Sequence, residues 1–334
     1  MTRSSILVTG GAGYIGAHVA HLLRQRDVRI VVLDDLSTGR AERLTDAPLV
    51  RADLASSNAV ETLEAVFDAH DVGAVVHLAG KKQVAESVTG PTRYFRQNVG
   101  GLTNLLTAME RRAVRRLVFS SSAAVYGATE RSSVREDHDT RPLNPYGQTK
   151  LVGEWMNRAA SDAWGLSVAN LRYFTVAGSA AVELRDGGRT NLILIVLDAA
   201  RAGSEVPVFG SDWQTVDGTC VRDYIDVRDL AAAHVDALEH VAREVGGPTE
   251  FNIGTGIGTS VRQVIALAEA VSGREIRTVD RGPRPGDPAA VVADPTLANE
   301  VLGWRARYST AETIASAWEH DLRGASRVGG VLAA

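Results

Sequence analysis

Cysteine is almost missing from this 334-residue chain. Cys220 stands alone, so no internal disulfide and no cysteine-based metal cluster can form, and no metal is expected. Long apolar runs are missing too. None reaches the roughly 20 residues that cross a bilayer, so no membrane partner is expected. There is no excess of positive charge. Lys and Arg total 36 against 40 Asp and Glu, a net charge of -4, which gives nucleic acid or an anionic membrane no reason to bind. Repeats, low-complexity tracts and a clean linker are also absent. The first strand-like run begins almost at once and leaves no room for a signal peptide, so a cytoplasmic protein is expected. The rest is the balance of a soluble globular chain, 45% hydrophobic and 23% charged, with a length that suits two lobes.

The N-terminal stretch is the most informative. Ser5-Ile6-Leu7-Val8-Thr9 runs into Gly10-Gly11-Ala12-Gly13-Tyr14-Ile15-Gly16, and an amphipathic helical pattern follows from Tyr14 to about Arg26. This reads as strand, tight turn, helix. Gly10 lets the chain turn off the strand, Gly13 leaves space for a pyrophosphate, and Gly16 lets helix and strand pack closely. Free N–H groups at the helix start then face phosphates. A glycine-rich turn by itself occurs in many α/β proteins, but here an acid stands at the expected distance. Asp34 closes a second apolar run, Ile30 to Leu33. A carboxylate there accepts ribose hydroxyls and repels a 2′-phosphate, which selects NAD over NADP. Asp35 points the same way; Arg40 and Arg43 nearby point the other.

Strands and helices alternate through the first half. A short strand near Leu49 precedes Asp53-Leu54, a helix is expected over Asn58 to His70, and a buried strand over Ala74 to Leu78 ends in Ala79-Gly80. One helix is expected from Tyr94 to Arg112, with Leu102, Leu105, Leu106 and Met109 as a core stripe. Leu117-Val118-Phe119 is a strand, Pro145 opens a helix to about Trp164, and Val168 to Arg172 is a strand. Such alternation means right-handed βαβ units. The fold expected is α/β: a Rossmann-type, doubly wound parallel sheet with a smaller C-terminal α/β lobe for substrate. An approximate division is 1–175 for the dinucleotide and 176–334 mainly for substrate, with later segments returning to the first lobe.

The chemistry is expected where strand Leu117–Phe119 runs into Ser120-Ser121-Ser122 and where Tyr146 precedes Lys150 by four residues. Tyrosine and lysine at that spacing share a helix face. To act as a base near neutral pH, a tyrosine of pKa about 10 must be lowered by roughly three units, about 4 kcal/mol. A cation about 4 Å away at an effective dielectric near 20 supplies an amount on that order. A serine hydroxyl from the strand end can hold the same substrate oxygen. Proton abstraction from a carbinol, with hydride transfer to NAD, follows. Taken alone, Tyr-x-x-x-Lys is commonly an ordinary half-exposed helix pair.

With these motifs in order, the chain from Ile6 to Trp304 resembles the extended short-chain dehydrogenase/reductase family, and within it the branch that interconverts UDP-glucose and UDP-galactose at C4. The resemblance implies that Ser122, Tyr146 and Lys150 are catalytic. It implies cofactor contacts from Gly10, Gly13, Tyr14, Ile15, Gly16, Asp34, Asp53, Leu54, Ala79, Gly80, Lys82, Asn98, Tyr146, Lys150 and Tyr173. Lys82 would touch phosphate and ribose, Asn98 would steady the active-site helix, and Tyr173-Phe174 would flank the nicotinamide. Asp217 to Ile225 is the most branch-specific segment, and its Arg222 would bind a UDP phosphate. Asn191, Leu192 and Phe209 would surround diphosphate and uracil, and Arg284 and Asp287 would reach phosphate and ribose. Lys82, Ser122, Tyr146 and Thr175 would meet the sugar. Blander readings exist for several of these: Asn98 as a backbone bridge, Arg222-Asp223 as a surface ion pair, Arg284 as a solvated charge. His77 reads as a packed, hydrogen-bonded residue and Cys220 as packing. His18 and His21 have no ligand partner at useful spacing.

Two departures bear on the sugar. Thr175 stands where the family usually has asparagine, and Val291 where some members carry a bulky aromatic. Thr175 resembles the epimerases of UDP-glucuronate, with Arg185 or Arg189 as donors for a carboxylate; Val291 leaves room for an N-acetyl group. A UDP-sugar dehydratase would need an acid/base pair after the serine, where Ala123-Ala124 stand. A non-enzymatic NAD sensor would not need Tyr146 and Lys150. A homodimer is implied by the family.

Overall fold

The computed structural model describes residues 4–128, 133–188, 191–243, 249–284 and 287–331. The first half runs β1 (Ser5–Thr9), α1 (Tyr14–Gln25), β2 (Ile30–Asp34), β3 (Leu49–Arg51), α2 (Ala59–His70), β4 (Val72–His77), α3 (Val84–Thr89), α4 (Pro91–Tyr94), α5 (Gly101–Arg111), β5 (Arg116–Ser122), β6 (Ser133–Val134), α6 (Pro145–Trp164) and β7 (Ser167–Tyr173). The second runs β8 (Thr175–Ala177), α7 (Leu192–Ala202), β9 (Val206–Phe209), β10 (Val221–Asp226), α8 (Val227–Arg243), β11 (Glu250–Ile253), β12 (Gly258–Ser260), α9 (Val261–Ser272), β13 (Thr278–Arg281), β14 (Ala290–Ala293) and α10 (Thr310–Val331).

Seven strands form one sheet in the order β11-β7-β5-β4-β1-β2-β3, every pairing parallel. Parallel strands with crossover helices must be covered on both faces, so the strands are mainly apolar, with their polar residues gathered chiefly at the C-terminal ends and on β7. On one face Val19 and Leu23 of α1 and Leu230, Val235 and Leu238 of α8 pack on the sheet. On the other, Leu63 and Phe67 of α2 join Leu102, Leu105, Leu106 and Met109 of α5. The expected core stripe on that helix is therefore in place. Strand order reverses between β1 and β4, which opens a crevice at the strands' C-terminal ends.

A second sheet runs β12-β10-β14-β6, with β8 also paired to β10. Its own core brings Ile193 and Val196 of α7, Val264 of α9 and Ile314 and Trp318 of α10 together. The chain crosses between sheets in both directions. β11 and α8 return to the first sheet, while β6, from the first half, pairs with β14.

The sequence pattern implied one helix from Tyr94 to Arg112. Instead α4 ends at Tyr94, a π-helical turn covers Phe95–Gly100, and α5 begins at Gly101. Such turns insert a residue without changing hydrophobic spacing much, so periodicity does not reveal them. This one carries Asn98.

Candidate active site

Both ends of the glycine turn are constrained by close backbone approach. Gly10 has φ +69°, and a Cβ on it would lie 2.6 Å from the Ala79 nitrogen; a Cβ on Gly16 would lie 2.2 Å from the Gly10 carbonyl oxygen. Any larger residue would push β1, β4 and the start of α1 apart. Gly13 caps α1 with no side-chain bond, and the first turn carries no acid. The N–H groups at that end therefore face the crevice with the helix dipole behind them. Asp34, at the end of β2, is buried. Its carboxylate accepts from Ala12 N at 3.0 Å and Leu36 N at 2.8 Å. Burial, only partly offset by these two amides, raises its pKa. Asp53 accepts from Ala55 N at 2.8 Å and Gln97 Nε2 at 3.3 Å. Leu54 is packed in the core on one face of the sheet, and the half-buried Ile15 packs against the core on the other.

The Ala79-Gly80 turn lies beside the π turn. Asn98 Oδ1 accepts from Lys81 N at 2.8 Å, and Nδ2 donates to Lys81 O at 3.0 Å and Thr149 Oγ1 at 2.9 Å. Asn98 thus ties the end of β4 to α6 and is buried. The bridging role foreseen for it is what its amide performs, and it does so on Thr149, between Tyr146 and Lys150. Lys82 is exposed at the rim, its ammonium 6.0 Å from the Tyr14 ring centre.

α6 opens at the Asn144 cap, whose side chain accepts from Gly147 N, with Pro145 at the first helical position. This start is pre-organised and fixes where Tyr146 sits. Ser122 ends β5 in register with Tyr173, and its hydroxyl accepts from Ala124 N at 3.2 Å. The same hydroxyl lies near enough to the Tyr146 phenol to lower its pKa. Lys150 is buried, and its Nζ donates to Ser120 O at 2.7 Å. Ser122, Tyr146 and Lys150 are therefore gathered at one strand end.

The electrostatics differ from the sequence expectation. Burial raises the Tyr146 pKa, and the neighbouring Ser122 hydroxyl lowers it only in part. Lys150 Nζ is 5.9 Å from the Tyr146 ring centre, on the same helix face. Burial also lowers Lys150 to about 8, against the Glu154 carboxylate, which raises it. A second positive charge beside the phenol is needed before Tyr146 titrates near neutral pH.

On the same sheet edge, Tyr173 OH lies 2.6 Å from His234 Nε2, and His234 Nδ1 lies 2.8 Å from Leu230 O. A carbonyl only accepts, so Nδ1 carries the proton and Tyr173 donates to Nε2. Burial holds His234 at about 4 and His77, bonded to Thr9 Oγ1 at 2.7 Å, at about 3. His77 is the packed residue the sequence suggested.

The second sheet supplies the other wall. Thr175 pairs with Tyr224 on β10, and Arg222, two residues earlier, pairs with Val291 on β14. Arg222 Nη1 donates to Val221 O at 2.8 Å and Pro288 O at 2.9 Å, and Nη2 is 3.8 Å from Asp287. The Arg284 guanidinium stacks 3.8 Å from the Phe209 ring centre. Two arginines, a carboxylate and an aromatic face are thereby brought together. Asn191 caps α7: Oδ1 accepts from Ile193 N at 3.0 Å, and Nδ2 donates to Val176 O at 2.6 Å. Leu192 follows, half-buried. Cys220 is buried packing. Arg185 donates to Val182 O; Arg189 lies outside the described residues. Among the described residues, no group of three His, Cys, Asp or Glu side chains is placed to hold a metal ion.

Sequence reasoning passed over Glu154, Arg172 and His234. For Glu154 a signal existed: it continues the Tyr146, Lys150 spacing by another four residues.

A nucleotide-binding doubly wound sheet with a Ser-Tyr-Lys cluster at the C-terminal end of β5 defines an oxidoreductase-like class of α/β protein. The family model described as the NAD dependent epimerase/dehydratase family matches residues 6–254, and the chain belongs to that family. It is 45% identical over 326 residues to a UDP-glucose 4-epimerase of Azospirillum brasilense, covering 95% of this chain and 92% of the relative. A Stenotrophomonas maltophila UDP-glucose-4-epimerase, solved with bound NAD and formylated UDP-arabinopyranose, superposes with TM-score 0.92 at 37% identity, over 98% of this chain and 100% of that one. A UDP-Glc/GlcNAc 4-epimerase of Campylobacter jejuni gives TM-score 0.84 at 33% identity, over 96% and 99%.

Proposed function

We propose that the chain is an NAD-dependent UDP-sugar 4-epimerase acting on UDP-glucose and UDP-galactose. The observation that carries this is the Ser122, Tyr146, Lys150 cluster, together with a glycine turn fitted for a dinucleotide and a second lobe that presents Arg222 on β10 and Arg284 stacked on Phe209 of β9. The near full-length similarity to UDP-glucose 4-epimerases supports the same reading.

NAD fits the residues present. Gly10, Gly13, Ile15 and Gly16 leave the α1 amides open to a pyrophosphate, with Tyr14 at the start of the helix. Asp34 and Asp53 with Leu54 suit the adenosine end. Ala79, Gly80, Lys82, Asn98 and Tyr173 line the way to Tyr146 and Lys150. When bound, NAD supplies a reversible hydride acceptor for C4 and a positive charge near the phenol. Tyr146 takes the proton of the sugar 4-hydroxyl and returns it to the same oxygen after the 4-keto sugar has turned. Ser122 orients that oxygen, and Lys150 keeps the phenolate favourable. Arg222, Arg284, Asp287, Phe209, Asn191 and Leu192 hold the UDP, so the ketone is retained by its nucleotide through the turn.

Thr175 supports a second reading, the UDP-glucuronate epimerase, since its short side chain leaves space beside C6; Val291 likewise suits an N-acetyl group. The dehydratase reading lacks the carboxylates after Ser122, where Ala123 and Ala124 form a 3-10 turn. A sensor has no use for a buried lysine beside a tyrosine. The lobes divide near residue 175, with β11 and α8 serving the first. A homodimer is the proposed assembly: exposed Val84, Val88, Phe95 and Trp155 sit on α3, the π turn and α6, which pack together, and covering them stabilises a second copy. No helix among the described residues is long and apolar enough to cross a membrane, which is compatible with the proposed cytoplasmic location.

The deciding experiment incubates purified chain with UDP-galactose and no added NAD and follows UDP-glucose by NMR. Conversion is expected, since NAD is regenerated in each cycle. Accumulation of a released oxidised sugar with equimolar reduced NAD would overturn the reading.

A further inference from the structure

A buried ion pair joins the catalytic helix α6 to β7. Arg172 of β7 donates Nε to Glu154 Oε1 at 2.9 Å and Nη2 to Oε2 at 2.7 Å. Both side chains are nearly inaccessible to solvent, 5% and 2% exposed. The Ser121 hydroxyl also donates to Glu154. Arg172 Nη1 turns the other way, to Tyr126 OH at 2.9 Å and Glu136 O at 3.1 Å, and Tyr126 donates to Asn252 at 2.7 Å. A buried pair of this kind often stabilises a fold no better than apolar residues of the same size, so its place in the molecule matters.

That place is set by α6. Tyr146, Lys150 and Glu154 follow at four-residue spacing on one helix face, and successive residues of β5 receive them. The Ser122 hydroxyl faces the Tyr146 phenol, the Ser120 carbonyl takes the Lys150 ammonium, and Ser121 holds Glu154. We propose that Glu154 is a positioning residue for the reaction: clamped by Arg172 and Ser121, its carboxylate keeps Lys150 charged at neutral pH. This rests on the epimerase reading above, in which the lysine ammonium favours the Tyr146 phenolate.

The surroundings of Lys150 leave Glu154 that task. Burial strips water from the ammonium and lowers its pKa, and Glu154 is the charge that opposes this. From β4 the facing group is His77, neutral at about 3. From β5 come the Phe119 ring and the Ser120 carbonyl, and from the π turn the uncharged Asn98. From β7 come the phenol of Tyr173 and the Arg172 guanidinium, which is held on the Glu154 carboxylate; of that pair it is Glu154 that acts on Lys150.

The test uses the fact that lysine occurs only at 81, 82 and 150, so each 13Cε-lysine signal of the NAD-loaded protein can be assigned by substitution. In the wild type, Lys150 is expected to remain an ammonium through pH 7. Glu154→Gln should lower its titration midpoint by about one unit or more, given one charge removed at short range in a medium of effective dielectric near 20. Because that variant strands Arg172, the pair Glu154→Gln with Arg172→Met is the second probe; it leaves no unpaired buried charge and should also lower the midpoint. Glu154→Asp, which keeps the charge, should recover most of it. The alkaline limb of kcat/KM should move to lower pH in the same order. A neutral Lys150 at pH 7 in the wild type, or an unchanged midpoint in whichever Gln variant folds, overturns the proposal. A wild type that titrates as expected yet does not interconvert UDP-sugars points instead to failure of the epimerase reading.

Discussion

Tyr14, the first residue of α1, donates its hydroxyl to the carbonyl of Gly178 at 2.6 Å, across 164 residues of chain. One turn later His18 Nε2 accepts from Ala180 N at 3.1 Å, while its Nδ1 lies 2.8 Å from Tyr14 O. The loop after β8 is thus tied to the helix that begins at the glycine turn. His18, which had no expected partner, is part of that tether.

Tyr14→Phe keeps the ring and leaves the Gly178 carbonyl unpaired in a buried place. A loss of about 1–3 kcal/mol in unfolding free energy is expected, measured by urea denaturation. An unchanged midpoint and slope would mean the loop is held by other contacts.

Tyr146→Phe removes the proposed base and keeps the packing. Turnover should fall at least about 10²-fold, with UDP binding nearly intact by calorimetry. Lys150→Ala should also slow the reaction and move the acid limb of its pH profile upward, because the cation that favours the phenolate is gone. Turnover within a few-fold of wild type in Tyr146→Phe would remove the residue from the mechanism.

Three buried histidines make stability acid-sensitive. His18 and His234 are lowered to about 4 and His77 to about 3, each chiefly by burial. Unfolded, each binds a proton near pH 6.5, so below that pH the unfolded state holds more protons and stability falls with decreasing pH. The contribution is complete above pH 6.5 and is lost between there and about 4 for His18 and His234. Thermal denaturation at pH 7.5, 6 and 5 should show the decline. His18→Gln, which can still accept from Ala180, should reduce the slope by up to about 1.4 kcal/mol per pH unit. A slope identical to wild type would show that His18 already binds its proton in the folded chain.

The sugar is decided by comparing kcat/KM for UDP-glucose and UDP-glucuronate on one preparation. The neutral sugar is expected to win. A uronate preference above roughly tenfold, about 1.4 kcal/mol in transition-state binding, would transfer the assignment to the uronate, and Thr175→Asn should then move the ratio back toward the neutral sugar.

The sequence by itself determined the local machinery. A glycine turn between strand and helix, an acid ending the next strand and a tyrosine four residues before a lysine are short-range patterns, because backbone sterics and helical spacing operate over a few residues. The core stripe on α5 was legible for the same reason. What depends on meetings between distant segments was decided by the tertiary structure alone. The π turn that aims Asn98 at Lys81 and Thr149, the return of β11 to the first sheet, and the pairing of β6 with β14 left no periodic trace. Neither did Arg172 as the partner of Glu154, or the Tyr173–His234 bond. Tyr146 shows the physical cause most clearly. Spacing correctly placed a lysine on the same helix face, but it could not supply the burial of both groups, and desolvation rather than the neighbouring charge dominates their ionisation in the folded chain.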